Sequence, residues 1–294
     1  MIRPFLQEDA LLADIATARA QPDALHLWWL GQSGYLVQWN GRCLLLDPYL
    51  SDSLTRKYAS TDKPHVRLSE RVIAPERLDF VDVVTSSHNH TDHLDPETLQ
   101  ALARANPGLV MVCPEANRVT ARERSGLPDA RIVGLDAPPS GTSTPGSHLP
   151  HSEVAVAGVQ IHAVPAAHEA LDTNAAGLHL YLGFVIQAGP FSIYHSGDTV
   201  LYPGMVDRLR PFAVTVALLP INGHQPGRGV AGNLSGREAA QLGSAIGAGC
   251  VIPCHYDLFA FNTASPDEFR DTARLLGLGT AVLRLGERWT ATDP

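Results

Sequence analysis

The chain has 294 residues, of which 45% are hydrophobic, and a formal net charge of -8. That apolar content supports one sizeable core. The acidic balance excludes a general basic field for nucleic acid, and no stretch has the length and purity of a transmembrane helix.

Glu8, Asp9 and Asp14 break the basic-then-apolar pattern of a signal peptide. Phe5, Leu6, Leu11, Leu12, Ile15, Ala16 and Ala20 have roughly helical spacing. Residues 1–22 are therefore expected to form an appended amphipathic helix ahead of the body, with one domain spanning 1–294. From Leu25 the pattern turns to strands at 25–30, 35–39 and 42–46. They are separated by Gly31-Gln32-Ser33-Gly34 and by Asn40-Gly41, a strong hairpin signal. The third strand ends at Asp47, which reads either as a simple cap or as an acceptor that orients a metal-binding histidine.

Residues 49–78 read as irregular and polar, with Arg56, Lys57, Lys63, His65 and Arg67 concentrated there. They form either a solvated loop or a basic rim that captures an anionic substrate. A buried strand at 80–85 follows, and then His88-Asn89-His90-Thr91-Asp92-His93. Asp95-Pro96-Glu97 comes next, with Asp95 as helix cap and Pro96 at the first helical position. Three imidazoles and a carboxylate thus sit in a short loop held between a strand and a helix. Neutral imidazole and carboxylate are the ligands that borderline divalent metals prefer.

A helix from Pro96 to Ala105, a strand at 109–113, a helix near 117–125 and a strand at 131–133 continue the alternation, so helices pack on a sheet. Residues 136–152 are rich in Pro, Gly and Ser and read as a long flap, with His148 and His151 in solvent. A hairpin over 154–164, turning at Ala157-Gly158, runs into His168. Another, from Leu178 to Tyr194, runs into His195-Ser196-Gly197-Asp198, where Gly197 turns the backbone sharply. A strand at 214–219 leads to Asn222, Gly223 and His224. Ser235 and Glu238 form a capping box on a helix to Ile246. A strand at 250–254 ends at His255-Tyr256-Asp257, and terminal strands are expected from Thr280 to Trp289. Cys43, Cys113 and Cys250 lie in apolar runs, and Cys254 reads as core rather than ligand. The absence of a paired framework suits a reducing cytoplasm.

Four strand ends thus carry metal-type ligands: His88, His90, Asp92 and His93; His168; Asp198; and His255. Seven ligands suit two ions, Zn²⁺ or Mn²⁺. His88, His90 and His168 are assigned to one, Asp92, His93 and His255 to the other, and Asp198 to the space between. This set resembles the metallo-β-lactamase superfamily, which implies a four-layer αββα sandwich with the metals at one edge. Trp28-Trp29-Leu30-Gly31-Gln32-Ser33-Gly34, Tyr194-His195-Ser196-Gly197-Asp198-Thr199 and Val251-Ile252-Pro253-Cys254-His255-Tyr256-Asp257 are similar to the L-ascorbate-6-phosphate lactonase family. Asn222-Gly223 and Gly232-Asn233 look like the same group. The resemblance implies a Mn²⁺-favouring hydrolase that opens a cyclic ester, of a sugar or sugar phosphate among others; a small, anionic substrate, as the basic rim suggests, and a homo-oligomer are expected beside it. A water made reactive between the ions would attack the carbonyl. Asp92 would orient that water and carry a proton. Asn222, His224 and Tyr256 are candidates to bind substrate. A phosphodiesterase, or a metal-dependent binding protein without catalysis, are the alternatives.

Overall fold

A computed structural model of the chain describes residues 1–137 and 151–293. Helix α1 (Asp9–Ala18) buries Leu11, Ile15 and Ala18. It is shorter than the spacing predicts. Strands β1 (Leu25–Gly31), β2 (Gly34–Trp39) and β3 (Arg42–Leu46) form an antiparallel meander. Asn40 and Gly41 make the second turn with φ of 46° and 73°, the left-handed pair that a tight hairpin of this twist requires. A short helix α2 (Ser53–Lys57) and a single 3₁₀ turn at Pro75–Arg77 punctuate the stretch read as irregular.

Strands β4 (Val83–Thr85), β5 (Val110–Pro114) and β6 (Ile132–Leu135) continue the first sheet in parallel. Parallel neighbours need crossover connections. Here these include α3 (Pro96–Ala105) and α4 (Arg118–Ser125). The second sheet repeats the plan. Strands β7 (Glu153–Val156), β8 (Val159–Pro165), β9 (Leu182–Ala188) and β10 (Phe191–His195) are antiparallel. After α5 (Met205–Leu209), strand β11 (Val216–Pro220), helix α6 (Gly236–Ile246) and strand β12 (Cys250–Cys254) extend that sheet in parallel. Helix α7 (Asp267–Leu276) packs on α6, and β13 (Arg288–Ala291) crosses back to pair with β1. The orders are β13-β1-β2-β3-β4-β5-β6 and β12-β11-β10-β9-β8-β7.

One core joins the sheets, with Trp28, Trp29, Tyr35, Phe184, Phe191 and Tyr194 fully buried in it. All seven residues of β1 are buried, so no alternation shows. That is the signature of strands covered on both faces, by the partner sheet and by outer elements. Two mixed sheets flanked by helices make the four-layer αββα sandwich that the resemblance implies. The capping box on α6 is present, with Ser235 Oγ accepting from the Glu238 N–H and Glu238 accepting from the Ser235 N–H. Such a cap stabilises its helix by about 1 kcal/mol.

Two expectations shift. The strand expected from Leu178 begins at Leu182, because other groups claim the backbone before it. Leu180 O accepts from Asn117 Nδ2 at 2.8 Å, and the His179 N–H donates to Asp136 at 3.1 Å. Between Thr280 and Trp289 only β13, from Arg288, is a full strand. Arg284 and Glu287 close a turn instead, with the Glu287 N–H donating to Arg284 O at 2.9 Å. Of the Pro/Gly/Ser-rich segment, 138–150, with His148, lies outside the described residues. His151 is exposed. No helix among the described residues is long and apolar enough to cross a membrane.

Sheet pairing aligns the chemistry. β1, β3 and β4 run in one direction, as do β8, β10 and β12 in the other sheet. The carboxyl ends of each set open onto the same edge.

Candidate metal centre

The His-rich loop leaves β4 and is wound tight by the N–H groups of His93 and Leu94, which donate to His90 O at 3.1 and 2.8 Å. Asp95 then caps α3, accepting from the Thr98 N–H at 3.0 Å. Arg124 on α4 clamps the loop from outside by donating to Asn89 O at 2.6 Å. The loop directs His88 and His90 towards His168, with ring centroids 4.5 to 5.4 Å apart. Each of these three offers a nitrogen within 4.8 Å of the others, and so do the donor atoms of Asp92, His93 and His255. Asp198 lies between the triads. Its Oδ2 is 3.8 Å from His168 Nε2 and 3.3 Å from His255 Nε2, and its Oδ1 is 3.4 Å from His93 Nε2. The seven positions read as ligands therefore meet at one place.

Behind them sits an orienting layer. Asp47 Oδ2 is 2.7 Å from His93 Nδ1, and Oδ1 accepts from the Ser87 N–H at 2.9 Å. Ser87 Oγ donates to the same carboxylate. Asp47 also lies within ligand distance of His88 and His93, but these bonds commit it to holding His93. His168 Nδ1 donates to Gly232 O at 3.0 Å. In each case the ring N–H is spent on an acceptor, so Nε2 keeps its lone pair for a cation. The residues present fit divalent metal. His88 Nε2, His93 Nε2 and Asp198 Oδ1 are buried and have no hydrogen-bond partner in the described structure, although buried polar atoms normally have one.

The backbone is bent to build this centre. Gln32, Asp47 and His255 have φ of 50°, 40° and 64°, a region that costs a non-glycine residue about 1–3 kcal/mol. Gly197 has φ 58°, and a Cβ there would meet Ser87 Cβ at 2.5 Å. Only glycine lets the end of β10 approach the His-rich loop this closely, and Asp198 ends up buried in the centre.

The electrostatics set the imidazoles apart from one another. Burial, joined by the neighbouring imidazoles, holds His88 well below the usual histidine range. Burial also lowers His90. His93 goes the other way. Burial would lower it, but Asp198, Asp92 and the bond to Asp47 outweigh that and hold it well above the ordinary value. Burial likewise works against ionised Asp198, yet His255 and His93 keep its carboxyl well below the usual range.

The centre opens into a cleft of about 660 Å³. Its floor is His90, Asp92, His168, Asp198 and His255. One wall is apolar and aromatic: His65 stacks on Tyr58 at 4.3 Å and meets Phe261 edge-on at 4.4 Å. Lys57, Lys63 and Arg124 supply positive charge. The cluster of basic residues between 49 and 78 thus divides. Lys57, Lys63 and His65 line the cleft, while Arg56 pairs with Glu97 and Arg67 with Asp52.

The three positions read as substrate-binding do not line this cleft. Tyr256 is 3% exposed, stacks on Trp29 at 4.5 Å and donates to Leu283 O at 2.9 Å. It follows His255 in the chain and points into the core. Asn222 is buried and bonds Asn262 at 2.9 Å and Asn233 at 3.0 Å, so it ties loops together. His224 lies beside Glu169 and lines a neighbouring shallow cleft instead. Tyr181 also stands at the centre, its ring 5.3 to 6.2 Å from those of His88, His90 and His168. A lone tyrosine ahead of a strand carries no signal of such placement. Gln32 was legible only as part of a turn motif.

A family profile described as a beta-lactamase superfamily domain matches residues 42–256. The chain belongs to that family. It is 29% identical over 251 residues to a protein named UPF0173 metal-dependent hydrolase from Caldivirga maquilingensis, covering 85% of this chain and 90% of the relative. Among solved structures it resembles a metallo hydrolase from Ignicoccus hospitalis, with TM-score 0.62 and 24% identity over 91% of this chain and 98% of that one. A possible metal-dependent hydrolase from Veillonella parvula superposes with TM-score 0.69 at 14% identity, covering 90% and 98% of the two chains.

Proposed function

We propose that the bond this metal-dependent hydrolase breaks is the ester of a lactone in a small, anionic molecule. The observation that carries the reading is the pair of ligand triads with Asp198 between them. His88, His90 and His168 would hold one divalent cation and Asp92, His93 and His255 the other, with Mn²⁺ and Zn²⁺ both suited to the donors. When bound, two such ions lower the pKa of water towards neutrality and polarise a carbonyl. Asp92 orients the attacking water and takes its proton. The new C–O bond forms at the carbonyl carbon, the ring C–O bond breaks, and Asp92 returns the proton to the leaving alkoxide. Lys57, Lys63 and Arg124 hold the anionic end of the substrate, and the wall of Tyr58, His65 and Phe261 keeps water from the other side. The lactone itself rests on the likeness of the 28–34, 194–199 and 251–257 stretches to the ascorbate-phosphate lactonases.

The cationic cleft also suits a phosphodiester, and that is the second reading. A panel of phosphorylated and neutral lactones beside bis-p-nitrophenyl phosphate separates the two, run on protein of measured metal content. Metal-dependent turnover of phosphorylated lactones is expected. Turnover of the phosphodiester alone overturns the reading.

A further inference from the structure

The turn between β1 and β2 is built more elaborately than a connection needs. Gly31 and Gln32 both lie at positive φ, 103° and 50°, and the pairing of β1 with β2 is irregular between Trp29 and Gly31. Three separate parts of the fold fasten the turn. Trp29 Nε1 donates to Gln32 O at 3.0 Å, the His255 N–H donates to the same oxygen at 3.0 Å, and His195 Nε2 donates to Ser33 O at 2.9 Å. Two of these anchors belong to the strand ends that deliver His255 and Asp198.

The result is a polar side chain with no exposure at all, aimed into the centre. Gln32 Nε2 is 2.9 Å from Asp92 Oδ2 and 3.1 Å from His255 Nε2, while Oε1 has no partner in the described structure. Burying a carboxamide without satisfying both ends costs about 1–3 kcal/mol. An apolar residue of the same shape would avoid that cost and pack as well.

We propose that Gln32 is a positioning residue of the second metal centre: its amide N–H fixes Asp92 while its main-chain carbonyl fixes the backbone of His255. The inference rests on the metal-centre reading above but not on the substrate. The choice of a neutral amide follows from its surroundings. Asp92 and Asp198 already bring two carboxylates to this side, so a donor is needed that adds no charge. An amide does this where lysine would compete with the cation and glutamate would repel Asp92. Once His255 Nε2 is committed to an ion, the Gln32 N–H has Asp92 as its remaining partner. The carboxylate is then held by one oxygen and presents the other.

The test uses Gln32→Leu, which keeps a similar bulk and replaces the carboxamide with apolar atoms, with Gln32→Ala beside it. Metal-free protein is titrated with Zn²⁺ against a competing chelator and, separately, with Co²⁺, whose visible absorption reports the geometry of each site. Circular dichroism of the metal-free variants checks that the fold is retained. Loss of a second-layer partner typically weakens metal affinity about 10–100-fold. The expected result is a loss of that size in the second of two binding steps, with the first within about twofold of the parent protein and the Co²⁺ spectrum altered for the second ion alone. Unchanged binding and spectra in the leucine variant overturn the proposal, because Gln32 then only fills space. Equal loss of both ions also overturns it, because the effect is then not directed at Asp92 and His255. A parent protein that binds both ions yet opens no lactone would instead fault the substrate reading and leave the role of Gln32 standing.

Discussion

Asp47→Asn removes one of the two carboxylate acceptors behind the metal centre. The wild-type carboxylate accepts from the Ser87 N–H with one oxygen and faces His93 Nδ1 at 2.7 Å with the other, both groups being fully buried. An asparagine fits the same space but has one acceptor. If its oxygen stays on Ser87, its NH₂ meets His93 Nδ1. The imidazole must then carry its proton on Nε2, the atom aimed at the ion. If the amide turns round, the Ser87 N–H is buried without a partner. A hydrogen bond to a charged group contributes about 1.5–3 kcal/mol, and a buried unsatisfied group costs about 1–3 kcal/mol. The first arrangement therefore costs roughly 1.5–3 kcal/mol at the ion that His93 holds, about 10–100-fold in its affinity, while the second takes about 1–3 kcal/mol from the fold and lowers the melting temperature of the metal-free protein. Of the first ion's ligands, His90 and His168 do not touch Asp47 and His88 meets it through Ser87 Oγ, so the other ion should lose clearly less affinity than the one His93 holds. Isothermal titration of metal-free protein resolves the two steps. Two unchanged affinities together with an unchanged melting temperature would refute the assignment of Asp47 as the group that orients His93.

Removing ligands should act on metal and activity rather than fold. His90→Ala should abolish one ion and turnover with stability within about 0.5 kcal/mol, since the residue is exposed overall and only its ring faces the other imidazoles at the mouth of the centre. Asp198→Ala should lose both ions, as metal content and circular dichroism will show. Lys57→Ala combined with Lys63→Ala should raise KM for an anionic substrate about tenfold, with kcat little changed and the salt dependence of KM reduced. Metal affinity should rise with pH. A cation must displace the proton that Asp198, Asp92 and Asp47 hold on His93, whose pKa lies above its ordinary value despite burial. Binding therefore releases a proton at any pH below that raised value. In the metal-free protein the same group contributes stability that is fully present below about pH 6.5 and fades as pH climbs through the raised value. The gain in melting temperature on adding Zn²⁺ should accordingly grow between about pH 6 and about pH 8.

Much of this architecture is written in local pattern. Asn40-Gly41 and Ala157-Gly158 give away two hairpins because few residues tolerate their backbone angles. The ligands stand out because histidine and aspartate recur directly after apolar runs. Direction after a strand end is what pattern does not carry. His255 and Asp257 have φ of 64° and 57°, and the resulting twist turns Tyr256 under Trp29 and away from the cleft. Asn222 resembles a binding residue by composition, yet its amide is used up on Asn233 and Asn262. Which cations reach the cleft depends on acidic partners far away in the chain. Arg56 is drawn off by Glu97, while Lys57, its neighbour, lines the opening. The orienting role of Asp47 was readable because it ends a strand. That of Gln32 was not, because a turn motif shows the bend without showing what the side chain inside it meets.

Anomalous diffraction from a crystal loaded with Zn²⁺ or Mn²⁺ tests the two-ion centre most directly. Two peaks per chain are expected, one enclosed by His88, His90 and His168 and one by Asp92, His93 and His255, with Asp198 in contact with both. A single peak, or peaks away from these side chains, would contradict the account.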